Sequence, residues 1–178
     1  MARIISIVNQ KGGTGKSACA ANLGAGLARK NKKVLIVDAD PQSDVSASFG
    51  YRDCDDSDQT LTALMEISLR DQNYLPIKGL QQLLKTIGKV RRQINPTLQI
   101  SGILFSLVNA RTKDARDNMD LLHNVYGSQL RIFESYIPFS VRMKEAVREG
   151  ESIFKYEPGG NVALAFEKLT EEVLADVK

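Results

Sequence analysis

Apolar positions along this chain follow two periods. Arg3 to Asn9 and Lys33 to Asp38 are short β-branched runs, Ile4-Ile5-Ser6-Ile7-Val8 and Val34-Leu35-Ile36-Val37, of the kind found in parallel strands buried on both faces. Ile100 to Val108 and Leu130 to Ile137 read as third and fourth strands, the fourth closed by Pro138. Between the strands the period lengthens to that of a helix. Residues 17–30 are rich in Ala and Leu with no proline. Over 79–94, Leu80, Leu83, Leu84, Ile87, Val90 and Ile94 share one face, and Gln81, Gln82, Lys85, Lys89 and Arg92 the other. A helix over 114–126 turns Ala115, Met119, Leu122 and Val125 inward, and another covers 140–149. Asn161 is placed to cap a last helix with Val162, Phe166, Leu169, Val173 and Val177 on one side. Shorter helices are predicted over 44–49 and 60–69, with an acidic polar loop at 52–59, an irregular stretch at 71–79 and a loop at 150–160.

Strands alternating with helices predict an α/β fold: three layers, a parallel sheet of about four strands and helices on both faces. The crossovers should be right-handed. The 178 residues suit a single domain over 1–178. Composition changes this picture little. Apolar residues make up 43% and charged residues 25%, and the net charge is +3, so a nucleic-acid partner is permitted but not demanded. No apolar run approaches the roughly 20 residues of a membrane span. The apolar N-terminus runs into a glycine-rich stretch without a cleavage site, so no secretory signal is expected. Cys19 and Cys54 have no metal-ligand spacing. The expectation is a reducing cytoplasm and no membrane, with Cys19 in the core and Cys54 a free thiol. His123 reads as a surface or boundary residue, and Tyr126 and Phe166 as core.

The chemistry concentrates between the first strand and the first helix, at Gln10-Lys11-Gly12-Gly13-Thr14-Gly15-Lys16-Ser17. Glycines let successive backbone amides curl inward around phosphates, and the following helix N-terminus adds free N–H groups and the positive end of its dipole. Lys16 brings a mobile charge to the β- and γ-phosphates, and the Ser17 hydroxyl is placed for Mg²⁺. Gln10 stands where the usual G-x-x-x-x-G-K-[ST] pattern has its first glycine, and Lys11 is an additional lysine. At the end of the second strand come Asp38 and Asp40, in Asp-Ala-Asp-Pro-Gln. Ligands of parallel sheets sit outside the strands' carboxyl ends, so these carboxylates arrive near the metal and the attacking water.

Together these segments resemble the ParA/MinD/Soj family of deviant Walker-A ATPases, with Lys11 to Ser17 as the family's loop and Asp38 to Gln42 as its second motif. Gly79-Leu80-Gln81-Gln82-Leu83-Leu84, Asn109-Ala110-Arg111-Thr112 and Ile137-Pro138-Phe139-Ser140-Val141-Arg142 look like segments of its partitioning branch. Residues 161–178 carry more acidic residues than lysines, unlike a basic membrane anchor. The resemblance implies ATP and Mg²⁺ as cofactors. Lys11 would contact nucleotide across a homodimer. The loop residues Gly12, Gly13, Thr14, Gly15 and Lys16 would hold the phosphates, Ser17 and Asp38 the metal, and Asp40 the metal and the catalytic water. Asn109 and Pro138 would lie near the adenine, and Arg111 and Arg142 would contact non-specific DNA through its phosphates. It further implies plasmid, chromosome or mobile-element partitioning at the nucleoid with a ParB-like or adaptor partner.

One family feature is missing. No apolar strand here ends in the Walker-B aspartate: strand three ends in Asn109 and strand four in Pro138. An internal block of several tens of residues, about three strands by family comparison, has no counterpart between the helix at 60–69 and that at 79–94. The sheet then either closes up in the order 2-1-3-4 or is completed by a swap between two chains. Two readings follow: a Mg-dependent ATPase, or a shortened relative that binds nucleotide without turnover.

Overall fold

A pair of short parallel strands and six helices carry the chain among the described residues. The computed structural model describes residues 3–9, 13–37, 48–49 and 76–175, with the backbone alone at 76–79. In order, these are α1 (Lys16–Arg29), α2 (Pro76–Gln93), β1 (Ser106–Val108), α3 (Lys113–Tyr126), β2 (Ile137–Pro138), α4 (Val141–Glu149), α5 (Ile153–Tyr156) and α6 (Asn161–Ala175). The helices sit where their apolar periodicity places them, to within a few residues at each end. Of the helix predicted over 44–49 only Ser48 and Phe49 are described, and they form a turn; the helix predicted over 60–69, the loop at 52–59, Cys54 and Val177 lie outside the described residues.

The predicted third and fourth strands are neighbours and run parallel. Ser106 faces Ile137, Val108 faces Pro138, and a bridge between Ile103 and Ile132 extends the pairing upstream. Phe133 N–H donates to Ile103 O at 3.0 Å, Ile137 N–H to Phe105 O at 2.9 Å and Phe139 N–H to Val108 O at 2.9 Å. Helix α3 makes the crossover. Regular ladder is confined to a few residues because the register breaks between Ser106 and Val108, where Leu107 adopts φ 55°, a left-handed conformation unusual for leucine.

Residues 3–9 and 32–37 run without helix or ladder. Each turns part of its apolar content inward: Ile7 packs against the core, and Val34 and Ile36 lie over Gly24 of α1. Each also turns residues outward, with Ile4 91% and Leu35 87% exposed.

The core lies where α1, β2, α5 and α6 meet. Phe166, Ile137 and Ile153 are fully buried at its centre, and Val162, Leu169 and Val173 complete the inward face of α6. Helices α1 and α6 approach closely at Gly26, where a Cβ would collide with the Thr170 hydroxyl; that hydroxyl donates to Phe166 O at 2.6 Å. Helix α5 falls within the predicted loop at 150–160. Four residues are too few to show a helical period, and it is held from outside its own sequence: the buried Asn22 Oδ1 accepts the Ile153 N–H at 2.8 Å, while Asn22 Nδ2 donates to Ala18 O at 2.9 Å. Three inward expectations are corrected. Tyr126 is only half-buried and lies outside the core. Val125 is 44% and Ile94 76% exposed, Ile94 because α2 ends at Gln93 before reaching it. His123 is exposed, and Cys19 and Phe166 are core, as expected. Burial pushes the Cys19 thiol up to about 11, which keeps it protonated and inert at neutral pH.

Glu172 of α6 clamps the segment leading into β2. Its carboxylate accepts the Ser135 N–H at 2.8 Å and the Glu134 N–H at 3.0 Å, with Arg131 at 3.8 Å. Burial opposes the charge, but these amides and the arginine outweigh it and hold the carboxyl below its ordinary value. A carboxyl with a lowered folded value stabilises the fold above about pH 4.5 and loses that contribution as pH falls through the folded value. Glu172→Gln is therefore expected to cost about 1–2 kcal/mol at pH 7 and to flatten the acid limb of the stability curve. Thermal midpoints between about pH 7 and 3 check this; parallel wild-type and variant curves would contradict it.

Candidate functional site

The loop before α1 has the local geometry of an anion cradle. Gly13 and Gly15 both take left-handed conformations, φ 69° and 81°. Gly15 occupies the N-cap position, where no side chain caps the helix, and the first turn of α1 holds no acidic residue. Its first hydrogen bond runs from Cys19 N–H to Gly15 O at 2.8 Å. The amides of Ser17 and Ala18 thus precede the ladder and have no intrahelical acceptor. A side chain at Gly15 would meet Leu107 at an ordinary 3.5 Å, so the backbone angle, not crowding, requires glycine there. Lys16 and Ser17, half-buried, open the helix.

Strand β1 lies directly against this loop. The Ser106 hydroxyl donates to Thr14 O at 2.8 Å, and Leu107, tipped by its left-handed backbone, covers Gly15. Because β1 and β2 are parallel with Val108 opposite Pro138, the loop, Asn109 and Pro138 all stand at one edge, the carboxyl end of the strands. That is where an α/β sheet receives its ligand. Asn109 Oδ1 accepts the Arg111 N–H at 3.3 Å, and Thr112 caps α3 through Ala115 N–H at 3.4 Å; the turn after β1 is thereby fixed, with Arg111 exposed on it.

Arg142 is placed differently from Arg111. It sits in the first turn of α4, capped by Ser140, with its guanidinium 3.1 Å from Glu145 and 3.9 Å from Glu157. The bonds to Glu145 and Tyr156 push its value further up. Lys11, Gly12, Asp38 and Asp40 lie outside the described residues. The residues present fit a phosphate chain: two left-handed glycines, a lysine, and a helix whose own first turn carries no acidic residue. For Mg²⁺, Ser17 is the described candidate ligand. No cluster of three or more His, Cys, Asp or Glu residues occurs among the described residues.

Residues 5–153 match the model of the CobQ/CobB/MinD/ParA nucleotide binding domain. The chain belongs to this family. Among MinD/ParA relatives it is 30% identical over 244 positions to the chromosome-partitioning ATPase Soj of Thermus thermophilus, covering 99% of this chain and 97% of that one. It is 25% identical over 254 positions to the sporulation initiation inhibitor protein Soj of Bacillus subtilis, covering 99% and 100%. Among solved structures, the septum site-determining protein MinD of Pyrococcus horikoshii, complexed with Mg-ADP, superposes with a TM-score of 0.65 at 23% identity, over 99% of this chain and 98% of that one. The α/β fold with a parallel sheet is that of this MinD. The Thermus alignment has 244 positions and the chain 178 residues, so at least 66 positions (244 − 178) have no residue here. Both chains are covered almost end to end, which places the shortfall inside the chain.

Two features escaped sequence reasoning. The Ser106–Thr14 bond joins residues 92 apart, and no local pattern signals it. The basic face of α2 was visible as polar spacing, but not that Lys85, Lys89, Arg91 and Arg92 enter no ion pair among the described residues. No helix among the described residues is long and apolar enough to cross a membrane.

Proposed function

We propose that this chain is a ParA-like ATP-binding protein of DNA partitioning, working on plasmid, chromosome or mobile-element DNA in the cytoplasm at the nucleoid. The observation that carries the reading is the Gly13–Ser17 loop opening α1. Named relatives are chromosome-partitioning ATPases, and a structural neighbour is a Mg-ADP complex. In this reading the backbone of 12–17 and Lys16 hold the β- and γ-phosphates, and Ser17 holds Mg²⁺ with Asp38 and Asp40 nearby. Asn109 and Pro138 flank the base. The bound ion would neutralise developing phosphate charge. Lys11 reaches the nucleotide of a facing subunit, making ATP the trigger for a homodimer. Arg111 contacts DNA phosphates from its exposed turn. Arg142 joins it only by leaving Glu145 and Glu157. A ParB-like or adaptor protein is the expected partner.

Hydrolysis is the finer question. Asp40, orienting the attacking water, is the residue that turnover needs. Asp40→Ala is expected to lower steady-state MgATP turnover at least about 100-fold while leaving ATP affinity within a few-fold, as read by a phosphate-release assay beside a binding titration. The internal shortfall and the ending of strand three in Asn109, not aspartate, favour a second reading, a shortened relative that binds nucleotide without hydrolysing it. Wild-type turnover indistinguishable from that of Asp40→Ala selects that reading.

A further inference from the structure

Strand β1 bulges where it meets the Gly13–Ser17 loop. Ile137 N–H donates to Phe105 O and Phe139 N–H to Val108 O, both at 2.9 Å, so a step of two residues on the β2 side faces a step of three on the β1 side. One extra residue in a paired strand is a β-bulge, a device that re-aims side chains. Successive side chains of a regular strand point to opposite faces. Here two successive ones meet the same loop. The Ser106 hydroxyl reaches Thr14 O at 2.8 Å, and Leu107 stands 3.5 Å from where a Cβ of Gly15 would lie. The arrangement holds Leu107 at φ 55°, a conformation that a bulky residue keeps only where its surroundings impose it.

We infer that Ser106 is a positioning residue of the phosphate loop: by holding the Thr14 carbonyl, it aims the Gly15 N–H at the nucleotide's phosphates. The inference rests on the nucleotide site proposed above and names a residue on which that site depends. A trans peptide points its C=O and N–H in opposite directions. With the Thr14 carbonyl turned to Ser106, the Gly15 N–H must turn away from β1. The loop's own sequence does not decide this orientation. Gly13 and Gly15, at φ 69° and 81°, accept either sign of φ, so the peptide between Thr14 and Gly15 can rotate at little steric cost. The hydroxyl arriving from 92 residues away selects one orientation. Leu107 covers the loop from the β1 side and leaves the opposite side for the ligand. An amide aimed at a phosphate oxygen makes a charge-assisted bond; the same amide turned toward β1 makes none.

The test is a titration of the full chain with MgATP and with inorganic pyrophosphate. Ser106→Ala, folded by circular dichroism, is expected to bind MgATP about tenfold more weakly than wild type. Pyrophosphate binding should weaken by the same factor, because the lost donor faces phosphate and not the base. Ser106→Thr keeps the hydroxyl and should restore both affinities to within about threefold of wild type. Amide resonances separate positioning from general support of the fold. At saturating MgATP the Gly15 and Ser17 amides should both shift in wild type and in Ser106→Thr, whereas in Ser106→Ala the Ser17 amide shifts and the Gly15 amide does not. The inference alone is overturned by Ser106→Ala binding within about twofold of wild type, by Ser106→Thr binding as weakly as Ser106→Ala, or by a Gly15 amide that still shifts in Ser106→Ala. A folded wild type that does not bind MgATP overturns the proposed nucleotide site, and the inference with it. Should Ser106→Ala not fold, Ser106→Cys, close in size and a weaker donor, is compared with Ser106→Thr in its stead.

Discussion

Lys16→Ala is expected to weaken MgATP binding by about 100-fold or more, about 2.7 kcal/mol, with far-ultraviolet circular dichroism unchanged. The lysine opens α1 directly after Gly15, at an N-terminus that offers amides but no other described cation. A charge-assisted bond to phosphate contributes roughly 1.5–3 kcal/mol, and the backbone donors remain in the variant, so binding falls steeply without vanishing. Fluorescent-nucleotide titration reads the change. An affinity within threefold of wild type would remove Lys16 from the site. Arginine is not a substitute for it: its wide planar fork does not fill the role of a compact ammonium at the end of a flexible stem.

The second large effect is on stability. Phe166→Ala is expected to cost about 3–5 kcal/mol, a large part of the 5–15 kcal/mol typical of a domain. Phe166 is fully buried, on the face of α6 that meets α1, and its carbonyl holds the Thr170 hydroxyl. Truncation leaves a cavity between helices whose close approach at Gly26 and Thr170 resists collapse. Urea unfolding should show a lower midpoint with an unchanged slope. A loss under 1 kcal/mol would place the core elsewhere.

Sequence reading reached furthest where the information is local. Amphipathic period located α2, α3, α4 and α6, and the inward residues of α6 emerged as Val162, Phe166, Leu169 and Val173. The glycine-rich turn into α1 was legible for a similar reason: glycine positions specify backbone angles within a few residues. Pairing is not local. Strands three and four were placed as neighbours, yet their regular ladder shrank to a few residues around the break at Leu107, which no pattern forecasts. Residues 3–9 and 32–37 have the composition of buried strands, but a strand exists by its partner. Relatives carry at least 66 positions that this chain lacks, and Ile4 and Leu35 are left facing outward. Helix α5 and the Glu172 clamp were illegible because each is held across a long separation, by Asn22 in one case and by the Ser135 and Glu134 amides in the other. The carboxyl-edge grouping of loop, Asn109 and Pro138 followed from resemblance and topology together, and the Ser106–Thr14 bond supplies the contact that joins them.

Nucleotide binding at the Gly13–Ser17 loop is tested most directly by calorimetric titration of the intact wild-type chain with MgATP. The predicted result is saturable binding of one nucleotide per chain with Kd about 1–100 μM, about −5.5 to −8 kcal/mol, abolished or severely weakened in Lys16→Ala. Absence of saturable heat up to about 1 mM MgATP, the equivalent of about −4 kcal/mol, in a chain shown to be folded would contradict it.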